Sequence, residues 1–327
     1  MENKNFNPWF VDYVKHFKKE SMAHAQLVSG KKGIGKYKFV ETLAQSILCI
    51  ASDELFQSCG HCISCKTFNS KSNPDYHLIK PEKDGGIIKI GQLRGDSKKD
   101  GDEKGIIKIA FETPLLCSSK IIVIDEADGM NMEAQNLILK TLEEPSKDTF
   151  IFLISSKPFS LKATLISRLN HTLVSNPSKK SIDQWVNSNN LNLKEEDKKI
   201  LKYMDLNYIS DDALQNEQNQ INNFSDDLNQ SISAKQIEKI ANNWDDEFLL
   251  KRLTWFEEII LNAIYVQLEV DVEIPDFFSS NVNYLSKNKT LVDLFEYSKS
   301  IKEYIADLSN GINLNNKIQI KSLMSRF

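Results

Sequence analysis

The run Ala25-Gln26-Leu27-Val28-Ser29-Gly30-Lys31-Lys32-Gly33-Ile34-Gly35-Lys36-Tyr37 reads as a short buried strand, a glycine-rich turn and the first residues of a helix that continues to about Cys49. Strand, glycine turn and helix together open a nucleotide-binding α/β unit. Gly30, Gly33 and Gly35 let the backbone curl so that successive N–H groups face a phosphate. The helix that follows adds its N-terminal dipole. Lys36 is placed to reach the outer phosphates, completing G-x-x-x-x-G-K. The next position calls for Ser or Thr, whose hydroxyl holds Mg²⁺. Here it is Tyr37, whose oxygen sits far out on a rigid ring. The stretch therefore predicts a phosphate loop that can take ATP or ADP but is not expected to hydrolyse it. A glycine turn with lysines and no nucleotide is the plainer alternative.

Outward from the loop, further strands are expected at Tyr76–Ile79, Lys120–Ile124 and Thr149–Ile154, the last two as short apolar runs of a buried parallel sheet. Met132 to Leu142 has helical spacing between the last two, and Pro8 to Lys19 predicts an opening amphipathic helix. Alternating strand and helix makes the first half a doubly wound α/β domain. Ile121-Ile122-Val123-Ile124-Asp125-Glu126-Ala127-Asp128 supplies an apolar strand ending in an acidic pair. Asp125 would orient Mg²⁺ through water, and Glu126 would polarise the attacking water. A helicase reading of the Asp-Glu-Ala-Asp string needs a full phosphate loop and a second motor domain, and neither is visible. The pentapeptide Gly-Ile-Ile-Lys-Ile stands at 86–90 and again at 105–109, and predicts two short β-like segments flanking a surface loop, as a hairpin or a local duplication.

Four of the five cysteines fall in one short segment: Cys49, Cys59, Cys62 and Cys65. Cys-x9-Cys-x2-Cys-x2-Cys provides four thiolates, enough for a closed tetrahedral Zn²⁺ site. A redox pair or incidental thiols explain the clustering less well. His61 is a spare ligand, expected to be exposed, and Cys117 is expected to be buried filler.

Beyond Pro177 the strand signals fade. Ser181–Val186, Lys194–Met204 and Asp211–Leu214 predict a small helical unit, and the Asn/Gln-rich stretch Gln215–Asn229 reads as linker or solvated helix. Long apolar-periodic segments at Ile232–Trp244, Glu247–Leu268 and Val292–Leu308 predict an all-helical remainder. The 327 residues allow two or three domains. A hydrophobic fraction of 41% and a charged fraction of 26% are those of a globular protein. No apolar run approaches a membrane span and the N-terminus lacks a signal-peptide core, so a cytoplasmic location without membrane contact is expected. A net charge of −4 argues against a long basic nucleic-acid groove. Arginine is scarce, with only Arg94, Arg168, Arg252 and Arg326 among 41 basic residues.

A phosphate loop followed by a four-cysteine insertion and then Asn73-Pro74-Asp75-Tyr76 resembles bacterial DNA polymerase III clamp-loader subunits of the AAA+ type. The resemblance continues through Asn136-x-Ile138-Leu139-Lys140-Thr141-Leu142-Glu143-Glu144-Pro145 and the sensor-like strand Phe150-Ile151-Phe152-Leu153-Ile154-Ser155 to Ser167-Arg168. Leu314 to Met324 looks like the family's closing helix, so the match runs nearly end to end. The Lys-Thr-Leu-Glu-Glu-Pro string and the cysteine spacing are the specific elements; each other piece is weak.

The resemblance implies an AAA+-like α/β domain with a zinc module (1–175, module about 49–66), a small helical lid (176–215) and an all-α collar (216–327). It implies a ring with motor subunits of the gamma/tau type and a delta subunit, which loads the sliding clamp onto primed DNA. Motor subunits keep Ser or Thr after the loop lysine and carry a second-sensor arginine in the lid. Tyr37, and Asp in place of that arginine around Ile209–Leu214, point instead to the non-hydrolysing stator. The intact Asp125-Glu126 pair runs the other way. The family's Ser-Arg-Cys motif presents its arginine to the neighbour's ATP; here it reads Ser167-Arg168-Leu169, with the arginine kept. A guanidinium can stabilise the transferring phosphoryl from another chain, whereas the simpler role is a surface salt bridge. Two rivals stand beside the stator: an ATP-hydrolysing motor subunit, and a zinc-dependent DNA-binding module with a vestigial nucleotide fold.

Overall fold

The computed structural model describes all residues except 1–5, 20, 83–85, 96–104, 190, 192, 194, 202–203, 205, 207–210, 231–233, 246–247, 310–311 and 313. The chain divides into two compact units, Met1–Asn192 with Asp205–Tyr208, and Leu193–Met204 with Ile209–Phe327.

The first unit is built on five parallel strands: β1 (Ala25–Gly30), β2 (Tyr76–Ile79), β3 (Lys120–Ile124), β4 (Thr149–Ser155) and β5 (Asn170–Val174). Their order is β2-β3-β4-β1-β5. The helices are α1 (Lys36–Leu48), α2 (Ile63–Asn69), α3 (Ile90–Arg94), α4 (Ile106–Ala110), α5 (Met132–Glu143), α6 (Ala163–Ile166) and α7 (Lys179–Ser188). β1 and β3 are buried along their whole length: β3 carries the continuous apolar run Ile121–Ile124, while β1 buries Gln26 and Ser29 beside Ala25, Leu27 and Val28. The core between sheet and helices gathers Leu27, Ile122, Ile124, Ile138, Leu142, Ile151 and Leu153. Because β4 lies between β1 and β3, the C-terminal ends of all three strands converge. Ligands of open α/β sheets bind at that edge.

Three sequence expectations in this unit are corrected. The opening segment winds as a 3-10 helix over Pro8–His16, not as an α-helix to Lys19. Trp9, Phe10 and Phe17 are buried while Tyr13 and Val14 stay half-exposed, so the apolar spacing marks the two ends of the buried stripe but not its middle. Among the described residues the repeated pentapeptide forms no pair of β segments: the first copy leads into the short helix α3 and the second makes up most of α4, with one isolated bridge from Ile88 to Met130. Local apolar content without alternation could not decide between the two. Residues 96–104 between them lie outside the described set. Cys117 is half-buried rather than core filler, and hydrogen-bonded. β5 was not foreseen, since Asn170-His171-Thr172 is a polar start to an edge strand.

The second unit is helical among its described residues: α8 (Glu195–Ile200), α9 (Asp211–Gln230), α10 (Ala234–Trp244), α11 (Leu249–Gln267), α12 (Asp276–Asn288), α13 (Leu291–Ser309) and α14 (Asn316–Met324). Its core centres on Phe224, Trp244, Trp255, Phe256 and Phe278. Here lies a fourth correction. The Asn/Gln-rich stretch is neither linker nor solvated helix but the body of α9, which buries Leu214, Ile221, Phe224 and Leu228. That spacing draws one apolar stripe through polar company. Ser225 Oγ lies 2.8 Å from Phe277 O and 2.7 Å from Asn281 Oδ1, so its one hydroxyl proton finds an acceptor inside the core. No described helix is long and apolar enough to cross a membrane.

Candidate functional site

The phosphate loop leaves β1 at Gly30, where a Cβ would stand 2.6 Å from the carbonyl oxygen of Val174, so only glycine fits against β5. Gly35, with φ +88°, caps α1 in the left-handed region that favours glycine. The loop is held from outside by its neighbours. The Trp9 indole N–H and the Asn7 amide both donate to Ile34 O, at 2.9 and 3.1 Å. The Leu206 N–H donates to Gly33 O at 2.8 Å. Trp185 Nε1 donates to Asn7 Oδ1 at 3.1 Å, tying α7 into the same network.

Lys36 is buried, and its ammonium donates to Gly30 O, Lys31 O and Ser156 Oγ at 2.9, 2.6 and 3.0 Å. The lysine thus spans from the loop to the end of β4. Ser155 sits at that end and gives its hydroxyl to Asp128 Oδ1 at 2.7 Å, while the Ser156 N–H reaches the same oxygen at 2.9 Å. Asp128, the last residue of the Asp-Glu-Ala-Asp string, therefore braces the sensor-like strand rather than facing solvent alone.

At the tip of β3, burial raises the Asp125 carboxyl above the ordinary carboxylate range, and the Glu126 N–H at 2.9 Å only partly offsets this. Glu126 adopts φ +49° and pairs with Lys32 of the loop at 3.2 Å. Tyr37 turns toward β2: its hydroxyl donates to Glu41 at 3.2 Å and lies 3.5 Å from that of Tyr76. Burial pushes Tyr37 up to about 12, and burial raises Tyr76 also, with Tyr37 adding to it. Both phenols stay protonated at neutral pH and cannot act as oxyanion ligands. Gly30, Gly33, Gly35, Lys36, Tyr37, Asp125, Glu126 and Ser155 thus gather at the strand ends.

The four cysteines come together as their spacing predicts. Cys49 caps the C-terminus of α1, Cys62 caps the N-terminus of α2, and Cys65 lies in its first turn. Their sulfurs all lie within 4.8 Å of one another. Cys49–Cys62 and Cys59–Cys65 are 4.0 and 3.9 Å apart, far beyond a disulfide bond. Four thiolates at Zn–S of about 2.3 Å in a tetrahedron have sulfurs about 3.8 Å apart, so the donor set fits that ion. Backbone N–H groups of Cys59, Cys62 and Cys65 point at Cys49, Cys59 and Cys62 sulfurs at 3.5, 3.3 and 3.4 Å. Burial works against ionising Cys62, but the donors around it outweigh that and hold the thiol down at about 6. Burial pushes Cys65 up to about 12. His61 is exposed, with Nδ1 against Cys59 O at 2.7 Å, and lies outside the cluster.

Sequence reasoning missed what docks this module to the sheet. Asn73 is buried, and its amide nitrogen lies within hydrogen-bond reach of Ser64 O, Ser64 Oγ and Thr67 Oγ1 of α2, at 3.2, 3.2 and 3.1 Å, with its two N–H groups shared among them. Asp75, fully buried, accepts the N–H groups of Leu115, Leu116 and Cys117, each at 2.7 Å. Tyr76 packs on Phe68 with ring centroids 4.6 Å apart. The string Asn73-Pro74-Asp75-Tyr76 is a joint between the cysteine module, β2 and the loop before β3. Its polar residues next to a Pro were the available signal.

Arg168 stands apart from these groups. It follows α6, and its Nε and Nη2 meet Glu143 Oε1 at 2.6 and 2.5 Å while Nη1 donates to Thr164 O at 2.6 Å. About a third of its side chain remains exposed.

The family model described as DNA polymerase III, delta subunit, matches residues 8–178, more than half of the chain. The chain belongs to the DNA polymerase III delta-prime family. Among curated relatives, DNA polymerase III subunit delta′ of Haemophilus influenzae is 25% identical over 89% of this chain and 86% of its own. The subunits delta′ of Bacillus subtilis and Pseudomonas aeruginosa are 37% and 34% identical over 46% and 45% of this chain. Those two matches span 41% of each relative, about two fifths of its length. A solved gamma subunit-related protein of DNA polymerase III from Thermotoga maritima aligns over 96% of this chain and 97% of its own at 17% identity. Its TM-score of 0.39 is too low to bear on the fold. The delta-prime match covers the phosphate loop, the cysteines, Asp125-Glu126 and Arg168 alike.

Proposed function

We propose that this chain is the stator of a DNA polymerase III clamp loader. It assembles with motor subunits of the gamma/tau type and a delta subunit, and the ring opens the sliding clamp and places it on primed DNA. It lends Arg168 to an adjacent ATP site and does not itself turn over ATP.

One contrast carries the reading. The residue after the loop lysine, Tyr37, directs its hydroxyl at Glu41 and Tyr76, so no side-chain hydroxyl follows Lys36 to hold Mg²⁺ against the phosphates. Arg168, by comparison, reaches the surface with N–H groups to spare. Asp125 and Glu126 remain, which favours retained ATP or ADP binding over turnover. Glu126 is engaged by Lys32, which does not suit a residue that must polarise a water.

Cys49, Cys59, Cys62 and Cys65 hold one Zn²⁺. The ion supports the fold of the module locally, and the Asn73–Asp75 joint carries that support to β2. The same family reading divides the chain into an α/β domain over 1–175, a lid over 176–215 and a collar over 216–327. The second-sensor region spans 209–214, of which 209–210 lie outside the described residues. The test is reconstitution: the purified chain, motor subunits and delta subunit should form one ring by mass measurement. Tight DNA binding by the chain with no affinity for those subunits would instead favour a DNA-binding module.

A further inference from the structure

We propose that Glu143 is the positioning residue for Arg168: it sets the orientation in which the guanidinium meets a phosphate on a neighbouring chain. The inference rests on the trans-arginine reading above. Arg168 leaves a helix of only four residues, α6, too short to fix a long side chain by itself. α6 is instead fastened to α5 at both ends. At its start, Lys162 gives its N–H to Gln135 Oε1 at 2.8 Å and its ammonium to Asn136 Oδ1 at 2.6 Å. At its end, Arg168 Nε and Nη2 share Glu143 Oε1, and Nη1 holds the Thr164 carbonyl of α6 itself.

Three of the five guanidinium N–H groups are consumed this way. One N–H stays on each terminal nitrogen, Nη1 and Nη2, so the fork that remains can take a phosphate oxygen from outside the chain. The Glu143 carboxylate takes the edge formed by Nε and Nη2, and about a third of the Arg168 side chain stays exposed. Asn136 and Glu143 both belong to the Asn136–Pro145 string, so two polar members of that string are accounted for as the seat of the arginine segment. An exposed ion pair of this kind is worth under ~1 kcal/mol to folding. A merely structural Glu143 would therefore leave both stability and activity in place.

The test is a double-mutant cycle in loader reconstituted from purified subunits, with clamp and primed DNA present. Wild type, Glu143→Ala, Arg168→Ala and the double variant are compared by kcat and KM for ATP, after assembly is confirmed by mass. Glu143→Ala should lower stimulated kcat at least about three-fold while KM changes less than about two-fold, because orientation matters in the transition state. In the Arg168→Ala background the same change should cost nothing further. Glu143→Gln, which keeps an acceptor oxygen at the same place, should retain most activity. Unchanged kcat in Glu143→Ala would overturn the inference. An increase would do so too, since it would mean that Glu143 parks the arginine. An equal loss with and without Arg168 would show that Glu143 acts elsewhere. Normal activity in Arg168→Ala alone would instead remove the reading on which this inference rests.

Discussion

The hydroxyl of Tyr37 lies 3.5 Å from that of Tyr76, on the β2 side of the phosphate loop. One residue from Lys36, the chain thus spends its side-chain oxygen on the sheet edge that carries the cysteine module. Tyr76 in turn packs on Phe68 of α2, with ring centroids 4.6 Å apart, so the residue after Lys36 and the cysteine segment meet the same strand.

The isolated chain should accordingly show no Mg²⁺-dependent ATP turnover above background. Tyr37→Thr should strengthen nucleotide binding, read by equilibrium titration, without restoring turnover. Robust hydrolysis by the wild-type chain, abolished by Lys36→Ala, would identify a motor subunit instead.

Metal analysis of carefully purified protein should find one zinc per chain. Cys62→Ser should release it and loosen α2 and its surroundings, because a closed four-ligand site supports its own fold. Hydrogen exchange should report the loss in residues 49–70 while β1, β3 and β4 keep their protection. Zinc well below one per chain would argue against the assignment.

Asp75→Ala should be among the most destabilising single changes in the first unit. It leaves the N–H groups of Leu115, Leu116 and Cys117 without their carboxylate. The loss should be roughly 3 kcal/mol or more by denaturant unfolding. Asp75→Asn, which keeps one acceptor oxygen, should lose less.

Much of this was legible in the sequence. β3 and β4 are apolar runs closed by Asp125 and Ser155, and β1 runs into the glycine turn at Gly30, so type and end were readable for these three. The cysteines declare their cluster by spacing alone. What could not be read depends on partners distant in the chain. Asp75 looks like a turn residue until three N–H groups from 115–117 close on it. Glu143 looks solvated until Arg168 reaches it across 25 positions. α9 hides its stripe because Asn and Gln fill the positions between Ile221, Phe224 and Leu228. Composition concealed a periodicity that only the packed partners reveal.

His77 offers a pH test of the α/β unit. Burial and the nearby Lys120 ammonium hold its pKa below the ordinary 6.5, and its Nε2 has no hydrogen-bond partner. The folded state therefore resists a proton that the unfolded chain accepts. Its stability contribution is fully present above pH 6.5 and falls as pH drops below that toward the depressed value. Unfolding titrations between pH 7 and 5 should show this loss, and His77→Phe should flatten the slope. A slope unchanged by the substitution would place the acid sensitivity in other groups.

The stator claim is tested most directly by Arg168→Ala in a fully assembled loader. Folding, zinc content and ring mass should be unchanged, while clamp- and DNA-stimulated ATPase and clamp loading fall. An arginine supplied in trans is worth ~10³-fold or more at one site, diluted in the whole ring by the sites that other subunits serve. Arg168→Lys should rescue poorly, since a point charge cannot replace the planar fork. Normal stimulated ATPase and clamp loading in assembled Arg168→Ala loader would contradict the account and leave this chain a purely structural place in the ring.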